Sequence, residues 1–145
     1  ALGVPTPPPR WQVALLRVLS ALLPASKALE IDAKAVSRDP SVVEAYVADP
    51  LVHHDNIPAI MVVSLFDEGQ FVVDNAGHIT LPVLLLHGEE DQLTSVPASR
   101  QFIEALGASD KHLTVYPGMY HELFNEPERD EIIDTCIAWI RQRLV

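Results

Sequence analysis

Residues 82–93 read PVLLLHGEEDQL and residues 112–123 read HLTVYPGMYHEL. The first is a continuous apolar run of strand length ending at Gly88, the pattern of a strand covered on both faces. The second alternates, is rich in β-branched residues and stops at Pro117-Gly118. Between them, VPASRQFIEALG (96–107) sets Val96, Ser99, Phe102, Ile103 and Leu106 on one helical face, with Gly107 as the expected C-cap. A strand, a helical crossover and a second strand imply parallel pairing. NEPERDEIIDTCIAWIRQRL (125–144) predicts a closing helix. It opens with acids and ends with Arg141 and Arg143, which suits both ends of the helix dipole. The expected fold class of this half is α/β, parallel strands with flanking helices.

Chemistry-bearing residues follow each strand. In open parallel sheets, functional groups gather beyond the carboxyl ends of the strands. Asp91 and His121 lie thirty positions apart, about one βαβ unit, so the crossover returns both to one sheet edge. A carboxylate beside an imidazole forms two thirds of a Ser-His-Asp relay: the acid holds one ring N–H and the other nitrogen faces a nucleophile. Simpler roles compete. Asp91 alone reads as a capping acid before the helix, and His121 alone as a loop histidine bonded to backbone. Glu89 and Glu90 compete with Asp91 as the acid. Asp91 is preferred because it lies three past Gly88, which leaves the loop room to turn back.

The third member is not visible. A nucleophile elbow would read G-x-S-x-G between a strand and a helix. The nearest match, GASDK (107–111), lacks the closing glycine and falls between a helix and a strand. No oxyanion-hole loop rich in HG is present, and His87-Gly88 reads as the end of the acid strand.

Composition shifts near residue 79. Residues 1–9, ALGVPTPPP, are expected to be extended. RWQVALLRVLSALL (10–23) is apolar around most of a helical circumference and stops at Pro24. Such a helix is usually core, although it can face lipid or an acyl tunnel. DPSVVEAYVADP (39–50) predicts a short helix capped by Asp39, and a longer one is expected from near Pro58, with Ile57, Ile60, Met61, Ser64 and Leu65 as its apolar face. No convincing strand is visible in this half.

The chain has 145 residues, 48 % of them apolar, enough for one ordinary domain. A formal charge of −10 with no basic stripe argues against nucleic acid and anionic lipid as partners. Cys136 permits no internal disulfide and is expected to be a buried structural thiol beside Ile132, Ile133 and Ile140. The six histidines show no helical i, i+4 pairing, so no metal site and no cofactor are expected. No stretch is long and apolar enough to span a membrane, and no signal peptide is visible. The first residue is Ala, so the compartment stays open; a cytoplasmic or membrane-peripheral location is the working expectation.

The segment from Leu81 to Ile140 closely resembles the C-terminal end of the monoacylglycerol lipase / lysophospholipase family of α/β-hydrolases. The resemblance rests on G-x-x-D after one strand, YPGMYHELFNEP after the next, and the closing helix. SRDPSVVEAYVADPLV (37–52) and the preceding helix resemble that family's cap. The resemblance implies a helical cap at 1–78 and the C-terminal part of the hydrolase core at 79–145. It further implies a serine hydrolase of acylglycerol or lysophospholipid esters, with Asp91 as triad acid and His121 as general base. The nucleophile would come from an N-terminal half that these residues do not include. The chain is then expected to be inactive alone, with an open strand edge inviting that half or a second copy. Its first helix would be the membrane- or substrate-facing element. Two alternatives remain: an α/β-hydrolase with an Asp nucleophile, as in dehalogenases, and a non-catalytic fragment or binding module.

Overall fold

The computed structural model describes residue 3 and residues 8–144, so most of the Pro-rich segment expected to be extended lies outside the described residues. Five helices and four strands follow in the order α1 (Arg10–Leu22), β1 (Lys27–Leu29), α2 (Pro40–Ala48), β2 (Ile57–Pro58), α3 (Ala59–Asp74), β3 (Val83–Gly88), α4 (Val96–Ala105), β4 (Lys111–Tyr116) and α5 (Arg129–Arg141). Short 3-10 turns at Ala33–Ala35, Ala76–His78 and Leu123–Asn125 join them.

The second half follows its sequence pattern. β3 and β4 pair in parallel, in register from Val83 opposite Lys111 to Gly88 opposite Tyr116. Ser95 caps α4 by accepting the Ala98 N–H at 3.2 Å. One core cluster gathers Ala76, Phe102, Leu106 and Ala108, with Val83 and Leu85 of β3 packed against it. A second gathers Tyr116, Met119, Leu123 and Ile132 of α5, with Leu86. Odd and even positions of β3 thus feed different clusters, as a pleated strand with helices on both faces requires.

The first half departs from expectation in several ways. β1 and β2 form an antiparallel pair where no strand was expected. They hold α3 at its start, where the Ala59 N–H donates to the Ser26 carbonyl at 2.8 Å. Asp39 does cap α2, accepting the Ser41 N–H at 2.8 Å, with Pro40 in the first turn. α3 turns a different face inward from the one its apolar spacing suggested. Ala59 and Val62 are buried while Ile60, Met61 and Leu65 are exposed. α1, which the sequence left open between a core and a lipid- or acyl-facing role, packs on α3; Val13, Leu16 and Leu19 are half-buried and Ser20 buried, while Trp11, Leu15, Val18 and Leu22 are exposed.

Three further corrections concern the second half. β3 is only half-buried over Val83–Leu86 rather than covered on both faces. Cys136 is half-buried, and its neighbours Ile133 and Ile140 are exposed; only Ile132 turns fully inward. Gly107 is not the C-cap, a position held by Leu106. Its requirement is a close approach: a Cβ there would lie 2.1 Å from the Gly77 carbonyl oxygen.

Candidate active site

The site forms where the chain leaves β3 and β4. After β3, Gly88 passes directly beneath the loop that follows β4, where a Cβ would sit 2.2 Å from the Tyr120 carbonyl oxygen and 2.4 Å from that of Met119. Only hydrogen fits. The two loops are laced by backbone bonds, Glu89 N–H to the Tyr116 carbonyl and Glu90 N–H to the Met119 carbonyl, both 2.9 Å. After β4, Pro117 and Gly118 make a tight turn, with Gly118 at φ +70° and Met119 N–H reaching the Tyr116 carbonyl at 3.4 Å. Pro at the second position and a left-handed Gly at the third are what a type II turn demands. This turn carries His121 back over the end of β3.

Asp91 and His121 meet there. The Nδ1–H of His121 donates to Oδ2 of Asp91 at 2.9 Å. Asp91 is buried, its side chain 3 % exposed, whereas that of His121 is 38 % exposed. Its Nε2 makes no hydrogen bond among the described residues, so the ring is held on one side and open on the other. Glu89 and Glu90, the competing acids, point to solvent. The capping role weighed for Asp91 is present too, but in the loop rather than on α4. Its Oδ1 accepts the N–H groups of Leu93 at 2.7 Å and Thr94 at 2.9 Å, which leaves Oδ2 for His121.

Burial alone would push the Asp91 carboxyl up. Hydrogen bonds from His121, from the Thr94 hydroxyl and from the Thr94 and Leu93 amides outweigh it and hold the group well below the usual carboxylate range. The hydrogen bond to Asp91 raises His121 above an ordinary histidine; partial burial opposes the shift, and the charges of Asp91 and Glu122 add to it. The pair therefore holds an imidazolium strongly. That is the property a general base needs once it has taken a proton.

Two polar residues that sequence reading passed over also reach the acid. Thr94 donates its hydroxyl to Oδ2 of Asp91 at 2.5 Å. His87, buried at the end of β3, places its Nε2 3.2 Å from the same oxygen. The available signal was a histidine closing an otherwise apolar strand, since a buried polar residue is more informative than an exposed apolar one.

The loop beyond His121 is tied to the segment ahead of α2. Glu122 N–H donates to the Val36 carbonyl at 2.8 Å, and Ser37 Oγ donates to the Asn125 carbonyl at 2.9 Å. Glu126, with no exposed side-chain surface, accepts the Arg38 N–H at 2.9 Å and pairs with the Arg38 guanidinium, which also reaches Glu128.

Fold and site together define a class. Residues 1–128 match the Hydrolase_4 family, described as serine aminopeptidase S33, and the chain belongs to that family of α/β-hydrolases. It is 45 % identical over 132 residues to a monoacylglycerol lipase of Mycolicibacterium smegmatis, a match covering 91 % of this chain and 47 % of that protein. The crystal structure of Paleococcus ferrophilus monoacylglycerol lipase superposes with a TM-score of 0.84 at 36 % identity, covering 96 % of this chain and 55 % of that one. A soluble variant of monoglyceride lipase from Saccharomyces cerevisiae, solved with a substrate analog, superposes at 0.75 with 19 % identity over 92 % of this chain and 49 % of that one, a likeness of fold. The chain spans about half the length of the monoacylglycerol lipases it matches.

Proposed function

We propose that this chain supplies the acid and the base of a serine ester hydrolase acting on monoacylglycerol-type or lysophospholipid-type substrates, and that the nucleophile comes from residues outside these 145. Asp91 is the acid and His121 the general base. His121 Nε2 takes the proton of the attacking hydroxyl and returns it to the leaving alcohol, while Asp91 fixes the ring tautomer and stabilises the imidazolium. Residues 1–78 act as a cap over the acyl chain, anchored to the His121 loop through Arg38 and Glu126. The exposed face of α1 contacts the lipid surface from which substrate is drawn.

The observation that carries this reading is the one-sided grip on His121: Nδ1 bonded to a buried carboxylate, Nε2 open. No serine hydroxyl among the described residues bonds that Nε2. Ser37, Ser41 and Ser64 donate to the Asn125 carbonyl, Asp39 and the Ile60 carbonyl, and Ser99 is turned to His87. The monoacylglycerol part of the substrate class is supported by the name of the Mycolicibacterium relative and by the exposed apolar surfaces of α1 and α3.

Fluorophosphonate labelling read by intact mass tests it. The isolated chain is expected to remain unlabelled and to hydrolyse no ester. With the nucleophile-bearing segment present, labelling appears on that segment, and His121→Ala lowers ester turnover by on the order of a thousandfold or more. A label on one of the chain's own serines would overturn the division of the triad.

A further inference from the structure

Behind Asp91, polar groups continue into the protein beyond what an acid–base pair requires. Oγ of Ser99, a residue 2 % exposed on α4, lies 2.7 Å from Nδ1 of His87. Nε2 of His87 lies 3.4 Å from Oγ1 of Thr94, and that hydroxyl donates to Oδ2 of Asp91. The direction of these bonds is determined by the acid. Nε2 of His87 stands 3.2 Å from an ionised carboxylate oxygen, so a bare lone pair there would face negative charge. With the proton on Nε2, Nδ1 accepts from the Ser99 hydroxyl and Nε2–H lies between Oδ2 of Asp91 and Oγ1 of Thr94. Every donor in the series runs toward Asp91.

We propose that Ser99, His87 and Thr94 form a polarised hydrogen-bond chain whose role is to position and tune the Asp91–His121 pair, with His87 and Thr94 as positioning residues for the reaction. The proposal rests on the reading of Asp91 and His121 as acid and base. Thr94 holds the Asp91 carboxylate in the rotamer that meets His121, and His87 aligns and polarises the Thr94 hydroxyl. Each donor also draws electron density from Oδ2 and so limits how tightly Asp91 holds the imidazolium. Removing one leaves a more basic carboxylate and a His121 that keeps its proton to higher pH. Among the described residues, the charged or titratable groups facing His121 are Asp91 from the loop after β3 and Glu122 beside it, with His87 one residue further behind Asp91.

The test uses the active assembly, this chain together with its nucleophile-bearing segment, and two readouts. Ring ¹⁵N spectra of the unmutated protein are expected to show a proton on Nε2 of His87. A proton on Nδ1 with Nε2 bare overturns the proposal without any variant. In pH profiles of kcat/KM, Thr94→Val and His87→Phe are expected to move the acid limb upward by roughly half a unit and to lower kcat with KM nearly unchanged. Thr94→Ser and His87→Gln, which keep a donor, are expected to stay close to the parent. A Thr94→Val protein with the parent's limb and kcat overturns the proposal, including where His87→Phe fails to fold. His121→Ala separates the two ideas: retained hydrolysis in that variant refutes the acid–base reading itself, whereas its loss beside an unaltered Thr94→Val refutes only the chain.

Discussion

The two oxygens of Asp91 divide two tasks that its sequence position left in competition. Oδ1 closes the loop on the amides of Leu93 and Thr94, and Oδ2 takes His121. Spacing favoured Asp91 over Glu89 and Glu90, and it is Asp91 that meets His121. His87 was not legible in the same way: Thr94 and Ser99, seven and twelve residues away, meet it only in space. The shifts at the pair have a signed consequence. The raised His121 contributes stability fully below the ordinary histidine value of 6.5 and loses it as pH climbs through the raised one. The depressed Asp91 contributes above the ordinary carboxylate value of 3.8 and loses it as pH falls through its own. Their mutual stabilisation is therefore greatest between those values. If His121 is the proposed base, hydrolysis needs the neutral ring, and the acid limb of kcat/KM in the assembled enzyme is expected above pH 6.5. In Asp91→Asn the limb moves back down toward that value while the rate falls by about four orders of magnitude. A limb below 6.5 in the parent enzyme would contradict the bond from Asp91 as the controlling influence.

Elements were legible in proportion to the length of their pattern. α4, α5, β3 and β4 follow runs of six residues or more, bounded by caps and turns. β1 and β2 have three and two residues, too few to show alternation, and Pro58 lacks a donor besides. They lie where the chain enters α3, whose Ala59 N–H donates to the Ser26 carbonyl. The clamp between the segment ahead of α2 and the loop after His121 was equally hidden, since its partners are 88 residues apart. Its energetics are asymmetric. Arg38 retains access to water, but Glu126 has none, so Arg38→Ala strands a buried carboxylate. Urea unfolding of that variant is expected to show a loss on the order of 2–3 kcal/mol, and the assembled enzyme to lose activity as the His121 loop comes free. An unchanged midpoint would show the clamp to be ornamental. α1 carries a separate expectation. Trp11, Leu15, Val18 and Leu22 recur every three or four residues and are all exposed. With a chain charge of −10, zwitterionic lipid suits this face better than anionic lipid. In a Trp139→Phe background, zwitterionic vesicles are expected to blue-shift Trp11 emission, and Leu15→Glu to abolish the shift. Emission insensitive to vesicles removes α1 as a membrane contact.

Across the whole molecule, apolar surface and an unpaired strand edge lie on the same side of the accounts. No described strand pairs with the far side of β3, and Ile133, Ile137 and Ile140 of α5 are exposed. The β-strand pattern of PVLLLHG anticipated cover on both faces. The strand is instead half-buried, and among the described residues β4 is its one paired neighbour. The register makes this testable amide by amide. The N–H of Val83 reaches the Asp110 carbonyl and that of Glu89 the Tyr116 carbonyl, so odd positions of β3 face β4. The N–H groups of Leu84 and Leu86 then face outward. In dilute solutions of the chain alone, the amides of Leu84 and Leu86 are expected to exchange with deuterium much faster than those of Val83 and Leu85. Protection at Leu84 and Leu86 should rise when the nucleophile-bearing segment is added, or at high concentration as two copies pair edge to edge. Slow exchange at both positions in a dilute monomer would mean that the edge is already covered and is not the place where a further strand of the hydrolase pairs.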